Sequence, residues 1–310
     1  GGYENVFEIL NNVIPIEDYI TKHLCPTDDE NIDHEKDRLF FMRKNGMKID
    51  AMRELISNWV DEGKITAPEF SYLMASFMYS ASYVSNTSGV FKGFHRGWGG
   101  RNGTAQYRIC SDIILKPPIL YNNDKDNISM REDAGSLVCK LTDVLGEAPD
   151  IIYLDPPYNQ HPYGSNYHVL NSITLWDKPE FPEKITRGTK SAIRLDWRTE
   201  RKSAYNSRPK ALQEFSQLIN NITAKYILTS YSTEGHIPLK DMIEILGSKG
   251  SLRVVKREYV RYRVSPTRLS PKPRNVEFVV ITDTKQKPES LENIKKIISN
   301  FNLIDSEIEV

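Results

Sequence analysis

The chain has 310 residues, of which 39% are apolar and 26% charged, enough for one large globular domain or two smaller ones. Its 41 Lys and Arg balance 41 Asp and Glu, so overall charge announces neither nucleic-acid nor membrane binding. No apolar run approaches the length of a membrane span, and no signal peptide opens the sequence. Cys25, Cys110 and Cys139 lie far apart, and neither they nor the six His show metal-ligand spacing. We therefore expect no metal, no membrane, a reducing compartment and a cytoplasmic location.

Residues 1–85 are expected to be mostly helical. Ile49, Met52, Leu55, Ile56, Trp59 and Val60 recur at three- and four-residue spacing, which makes one apolar stripe. Thr66-Ala67-Pro68-Glu69 has the pattern of a capping box opening a second helix that buries Phe70, Leu73, Met74, Phe77 and Met78. Residues 86–118 differ. Six glycines are interleaved there with Lys92, His95, Arg96, Trp98, Arg101 and Arg108, a composition suited to loops or a hairpin that carries basic and aromatic side chains.

An α/β alternation follows. Asn127–Arg131 is a possible short strand, and residues 134–145 carry a helical pattern through Leu137, Val138, Leu141, Val144 and Leu145. Ile151–Leu154 is a short apolar run of the kind found in strands buried on both faces. Together these spell a βαβ unit with parallel strands. Residues 159–206 form a long polar insertion, and its length argues for function. A helix at 209–222, a strand at Lys225–Thr229 and a helix at 238–247 come next. Leu252–Val264 and Val276–Thr282 then face each other across a Pro-rich link (Pro266, Pro271, Pro273) with no helix between them, which suggests an antiparallel pair. Residues 286–304 close the chain as a helix or tail. Two stretches are locally basic: residues 184–210 carry nine Lys and Arg against two acids, and residues 251–274 eight against one. Such stretches can neutralise phosphates.

The informative run is Asp155-Pro156-Pro157-Tyr158. Two successive prolines cannot continue a central strand, so an acid emerges at a strand's carboxyl end, where open α/β sheets place ligands. This arrangement suits transfer to a conjugated exocyclic amine. Such a nitrogen becomes nucleophilic only as it turns tetrahedral, and its hydrogens then need acceptors. The Asp155 carboxylate and the Pro156 carbonyl supply two from one turn, with the prolines holding them in place. Tyr158 adds an aromatic face on which a flipped base can stack.

Asp155-Pro156-Pro157-Tyr158 resembles the catalytic motif of amino-group DNA methyltransferases. Its continuation through Asn159-Gln160-His161-Pro162-Tyr163-Gly164-Ser165-Asn166-Tyr167-His168 is similar to the Dam-like adenine methylases of restriction–modification systems. The resemblance implies an S-adenosylmethionine-dependent adenine-N6 methyltransferase acting on duplex DNA. It implies an α/β Rossmann-like methyltransferase sheet, mostly parallel with a reversed last strand, beside a helical DNA-recognition subdomain. The expected organisation is a recognition subdomain at 1–120 with its Gly/Arg/aromatic loop at 86–118, a catalytic core at 121–285 with a DNA-contacting insertion at 159–206, and a tail at 286–310. Catalytic roles fall to Asp155, Pro156, Pro157 and Tyr158, and cofactor binding to Asp133 and Asp155. Asp133 reads equally as a helix N-cap. DNA contacts are expected from Lys92, Arg96, Arg101, Asn166, Tyr167 and His168.

The resemblance covers residues 5 to about 283 and lacks one part. Such enzymes carry a Phe-x-Gly-x-Gly-type loop after a first strand, and here no such loop is found; Gly97–Gly103 has no βα context. The first strands of the sheet are thus expected to be missing. A segment ahead of this sequence, a second polypeptide that supplies it, or loss of cofactor binding with DNA binding kept would each account for that. Two other readings stay open: a non-catalytic recognition subunit of a split enzyme, and a different amino acceptor such as RNA.

Overall fold

In the computed structural model, helices dominate the first 125 residues. The structure describes every residue except 1, 101, 187–191, 199, 201, 261–273 and 307–310, and omits also the side chains of 198, 258–260, 274 and 302–306. The linker prolines, most of the basic stretch at 251–274 and Arg101 therefore lie outside the described residues. The chain divides into two units: Gly1–Lys125 with Pro162–Lys202, and Asp126–His161 with Ser203–Val310. Part of the insertion expected within the catalytic core thus packs with the N-terminal helices instead.

The first unit contains α1 (Tyr3–Asn11), α2 (Tyr19–Leu24), α3 (Arg43–Asp61), α4 (Ala67–Val84) and α5 (Gln106–Ile109). The stripe on α3 buries Ile49, Met52 and Ile56, while Val60 at its end stays exposed. The α4 capping box forms as expected: Thr66 and Glu69 exchange side-chain-to-backbone bonds, with a proline in the first turn. Leu73, Met74 and Phe77 of α4 join α3 in one core. In the second unit, α6 (Ala134–Val138) and α7 (Leu141–Leu145) precede β1 (Ile151–Leu154). The first unit then resumes with α8 (Tyr163–Asn166) and α9 (His168–Leu175). The rest of the second unit is α10 (Arg208–Asn221), β2 (Tyr226–Ser232), α11 (Leu239–Gly247), β3 (Ser251–Val260), β4 (Arg274–Asp283) and α12 (Leu291–Ser306).

The four strands make one sheet in the order β1-β2-β4-β3. β1 pairs with β2 in parallel, from Ile151 opposite Tyr226 to Leu154 opposite Thr229. β4 runs antiparallel to both β2 and β3, so the antiparallel ending forms as expected. Along β2 the burial alternates: Ile227, Thr229 and Tyr231 are buried, as are Val280 and Phe278 opposite them on β4. Phe215, Leu218 and Ile219 of α10 and Met242, Ile243 and Leu246 of α11 pack into the same core. Each such apolar side chain contributes about 1.5–3 kcal/mol on burial.

Two expectations are corrected. Asn127–Arg131 forms no strand; these residues are exposed coil, and the helix expected after them breaks at Cys139-Lys140 into the short α6 and α7, neither with a buried residue. The βαβ unit is instead closed from β1 through α10 to β2. Nor is β1 buried on both faces. It is an edge strand among the described residues, with Ile151 and Tyr153 each 58% exposed. An unbroken apolar run reports affinity for apolar surroundings, and here only one side of β1 finds a neighbouring strand.

In the first unit one buried cation organises the segment after α9. Arg194 is 2% exposed. Its guanidinium donates to both oxygens of Asp177 (2.7 and 3.1 Å) and both of Asp196 (2.6 and 2.7 Å), and to Ser172 Oγ of α9 (3.1 Å). It also lies 4.1 Å over the Trp197 ring. A planar fork grips both oxygens of two carboxylates at once, a bidentate geometry that a lysine's ammonium cannot match. We expect Arg194→Ala to cost roughly 3 kcal/mol of stability. Arg194→Lys should recover less than half of that loss. Urea denaturation midpoints of the three proteins check both statements.

Candidate active site and DNA-contact residues

The carboxyl end of β1 carries the motif. Leu154 is the last paired residue, opposite Thr229, and Asp155 follows it as an exposed carboxylate. Pro156 is buried and Pro157 half-buried, so the backbone turn is seated while the acid faces outward. Because the pairing is parallel, β2 ends on the same side and continues three residues past β1, through Ser230, Tyr231 and Ser232. The Tyr158 ring, 40% exposed, meets the buried Tyr231 ring edge-to-face, with centroids 6.0 Å apart and planes at 87°. Behind it, Asn206 Nδ2 donates to the Asn159 carbonyl (2.9 Å) and fixes the chain beyond the motif.

Asp133 takes the N-cap role: its Oδ1 accepts from the Ser136 N–H (3.0 Å) at the start of α6. Tyr205 lies in its electrostatic range. The Tyr205 hydroxyl is buried without a hydrogen-bond partner among the described residues. Burial first, then the charges of Glu214 and Asp133, push that phenol well above the usual tyrosine range. An acid within electrostatic reach of an orphaned hydroxyl is a donor–acceptor set whose chemistry suits the amino group and ring nitrogens of an adenosyl moiety. The residues present therefore fit that part of S-adenosylmethionine.

The expected DNA contacts belong to the first unit. Asn86, fully buried, pins the loop after α4: its Nδ2 donates to the His95 carbonyl (3.1 Å), and its Oδ1 accepts from Gly99 N (3.2 Å). Lys92 is half-buried and Arg96 exposed on this loop. The Phe91 N–H donates to the Asn166 carbonyl (2.7 Å), which brings the loop and the start of the insertion together. Asn166 is half-buried, and the exposed Tyr167 ring stacks on Tyr163 at 6.1 Å. Arg101 lies outside the described residues. Arg108 serves the fold, donating to the carbonyls of Tyr83, Ser85 and Thr87 at the end of α4.

His168 is the correction. It was expected to touch DNA, and it is fully buried. Its ring lies between Phe40 (5.5 Å) and Phe181 (5.8 Å). Neither ring nitrogen makes a hydrogen bond of normal geometry among the described residues; the Phe91 backbone only partly compensates. Burial, reinforced by Arg194 and Arg38, lowers its pKa to about 3. A buried neutral imidazole is a packing residue, and its place at the start of α9 in a polar run concealed that. Tyr231 was not singled out either. The available signal was its position in Ser230-Tyr231-Ser232, at the end of a strand parallel to the motif strand.

Residues 3–245 match the family described as D12 class N6 adenine-specific DNA methyltransferase. The chain belongs to that family. It is similar to the modification methylase LlaI of Lactococcus lactis subsp. lactis, 29% identical over 251 residues, covering 79% of this chain and 37% of the relative. It is 33% identical over 230 residues to the type II methyltransferase M.FokI of Planomicrobium okeanokoites, covering 73% and 32%. With the type II methyltransferase M.NlaIII of Neisseria lactamica it shares 29% identity over 258 residues, covering 83% and 69%. The chain thus spans about a third of the length of the first two relatives. No solved structure matches it. Among the described residues, no helix is long and apolar enough to cross a membrane.

The burial of His168 makes stability pH-dependent. The unfolded imidazole takes up a proton near pH 6.5, and the folded one does not until about pH 3. Its contribution is therefore complete above pH 6.5 and is lost as pH falls from there toward 3. His168→Leu should remove about 2 kcal/mol of the stability lost by the wild type between pH 7 and pH 5. Parallel denaturant titrations at the two pH values measure the difference.

Proposed function

We propose that this chain is an adenine-N6 DNA methyltransferase of the restriction–modification type, or the larger portion of one. It would use S-adenosylmethionine and act on an adenine flipped out of duplex DNA. The observation that carries the reading is the Asp155-Pro156-Pro157-Tyr158 turn at the carboxyl end of a strand paired in parallel, with Tyr158 set against Tyr231. The family match and the relatives' names support it. Working on DNA, the protein would act in the cytoplasm.

In this reading Tyr158 receives the face of the extruded base. The Asp155 carboxylate and the Pro156 carbonyl accept the two hydrogens of the amino group, which favours a tetrahedral nitrogen with its lone pair directed outward. The buried Pro156 ring keeps its carbonyl from drifting, so the acceptors need no reorganisation during reaction. Asp133, through the carboxylate oxygen not bonded to Ser136, and the Tyr205 hydroxyl would hold the adenosyl part of the cofactor. When bound, S-adenosylmethionine supplies an electrophilic methyl group on a sulfonium. Holding both reactants on one chain replaces a bimolecular encounter and provides much of the acceleration. The amino proton leaves after transfer, with Asp155 as the nearest acceptor in this scheme.

Lys92, Arg96, Asn166 and Tyr167 are the proposed DNA contacts: the cations for phosphates, Tyr167 and Asn166 for sugar or base edges. The outer edge of β1, unpaired among the described residues and flanked by exposed Ile151 and Tyr153, supports one more element. There a strand from outside the described residues, of the same or a second polypeptide, would extend the sheet and complete the cofactor pocket.

The test is nucleoside mass spectrometry of DNA lacking adenine methylation after incubation with the chain and S-adenosylmethionine. N6-methyladenine is the expected product. Asp155→Ala should lower turnover roughly 100-fold or more. Fluorescence anisotropy should show its affinity for DNA within about twofold of wild type, since base acceptors contribute little to phosphate-driven binding. Full turnover by Asp155→Ala would remove the acid from the mechanism.

A further inference from the structure

Tyr158 is exposed enough for its ring to turn, yet a base can stack on it only in one orientation, so something must set that orientation. The ring that meets Tyr158 edge-to-face is itself held on several sides. Tyr231 is 2% exposed. Its ring sits 6.4 Å from that of Phe278, the residue opposite it on β4. Its hydroxyl accepts from the Ile237 N–H (3.2 Å). Beneath it lies Gly235, so close that a methyl group there would overlap Cε1, Cζ and Oη of the ring. The φ of Gly235 is not in the left-handed region, so the backbone does not ask for glycine. The ring does.

The turn that brings Gly235 under the ring cannot readily give way. The Gly235 N–H donates to the Ser232 carbonyl (3.0 Å), and the Thr233 N–H to that of Val276 (3.1 Å). The buried Asn275 side chain ties the turn to β4, donating to Ser232 Oγ (2.6 Å) and accepting from Thr233 Oγ1 (2.8 Å). A methyl on Gly235 is therefore accommodated by displacing the Tyr231 ring, and that same ring meets Tyr158 edge-to-face.

We propose that Gly235 and Tyr231 are positioning residues for Tyr158. Gly235 leaves the space in which the Tyr231 ring lies, and the Tyr231 ring fixes the plane of Tyr158 edge-to-face, ready to receive the base. This rests on the reading of Tyr158 as the stacking residue and goes beyond it by naming what orients that ring. Neither residue touches the reacting atoms.

The experiment places 3-fluorotyrosine at position 158 of the full chain and follows its ¹⁹F resonance. Gly235→Ala and Tyr231→Leu should each shift or broaden that line, while Tyr231→Phe, which keeps the ring, should leave it close to wild type. Adding Gly235→Ala to Tyr231→Leu should change nothing further, because the two act through one contact. Where Gly235→Ala does not fold, judged by its thermal melt, Tyr231→Leu decides alone. An unmoved Tyr158 line in the folded variants overturns the proposal. On genomic DNA lacking adenine methylation, Gly235→Ala should lower kcat roughly 10- to 100-fold with KM for DNA within about threefold. A lowered melting temperature with unchanged kcat also counts against the proposal. Tyr158→Ala separates the two claims: full turnover there, with the ¹⁹F coupling present, removes the stacking role and leaves the positioning contact standing.

Discussion

The parallel pairing of β1 with β2 is the constraint on which the second unit depends. Parallel strands end on the same side, so the turn at Asp155 and the extension of β2 through Ser232 share one rim. An antiparallel pairing of the same residues would send Tyr158 and Tyr231 to opposite ends of the sheet. The prolines add the complementary effect. They stop β1 at Leu154 while β2, still paired with β4, runs on, so Tyr231 stands beside the motif with no β1 residue opposite it. The helices α10 and α11 and the reversed strand β4 then serve to fill the face on which Ile227, Thr229 and Tyr231 lie.

The first unit is held differently. Beside its apolar core, buried polar side chains tie its helices and connecting segments together. Asp50 accepts from the backbone of Ile20 and Thr21 at the head of α2. Arg53 donates to the carbonyls of Ile173 and Thr174 at the tail of α9. Asn45 spans to Ser111 and Ile113, and Arg194 joins Asp177 to Asp196. Asp50, Arg53 and Asn45 pair backbone groups that would otherwise lack partners, and Arg194, itself buried, is compensated by two partly exposed carboxylates.

Much of this was legible where the signal is local. The capping box at Thr66, the stripe on α3, the strand expected at Lys225–Thr229 and the antiparallel pair all follow from spacing over a few residues. Asp155-Pro156-Pro157-Tyr158 was legible because prolines constrain the backbone whatever surrounds them. What depends on partners distant in sequence was not. Ile151–Leu154 has the composition of a central strand, and nothing within those residues says that one edge has no neighbour among the described residues. His168 looks polar beside Asn166 and Tyr167, and only Phe40 and Phe181, far away in the chain, make it a core residue. Gly235 is one glycine among 17, and its purpose appears only under the Tyr231 ring.

The order in which the chain visits its two units has a consequence for synthesis. The first unit is begun by residue 1 and completed only near residue 202; the second is begun at residue 126, interrupted, and resumed at 203. A ribosome therefore releases α1–α5 before α9, whose Val169 and Ile173 join their core, and before Arg194. The exposed helices must wait for about eighty residues between Lys125 and Lys202, several seconds at ordinary elongation rates. β1 waits as well, since β2 follows it by more than seventy residues. Neither unit can finish on its first segment alone, and the second is begun before the first is complete, so folding of one overlaps folding of the other.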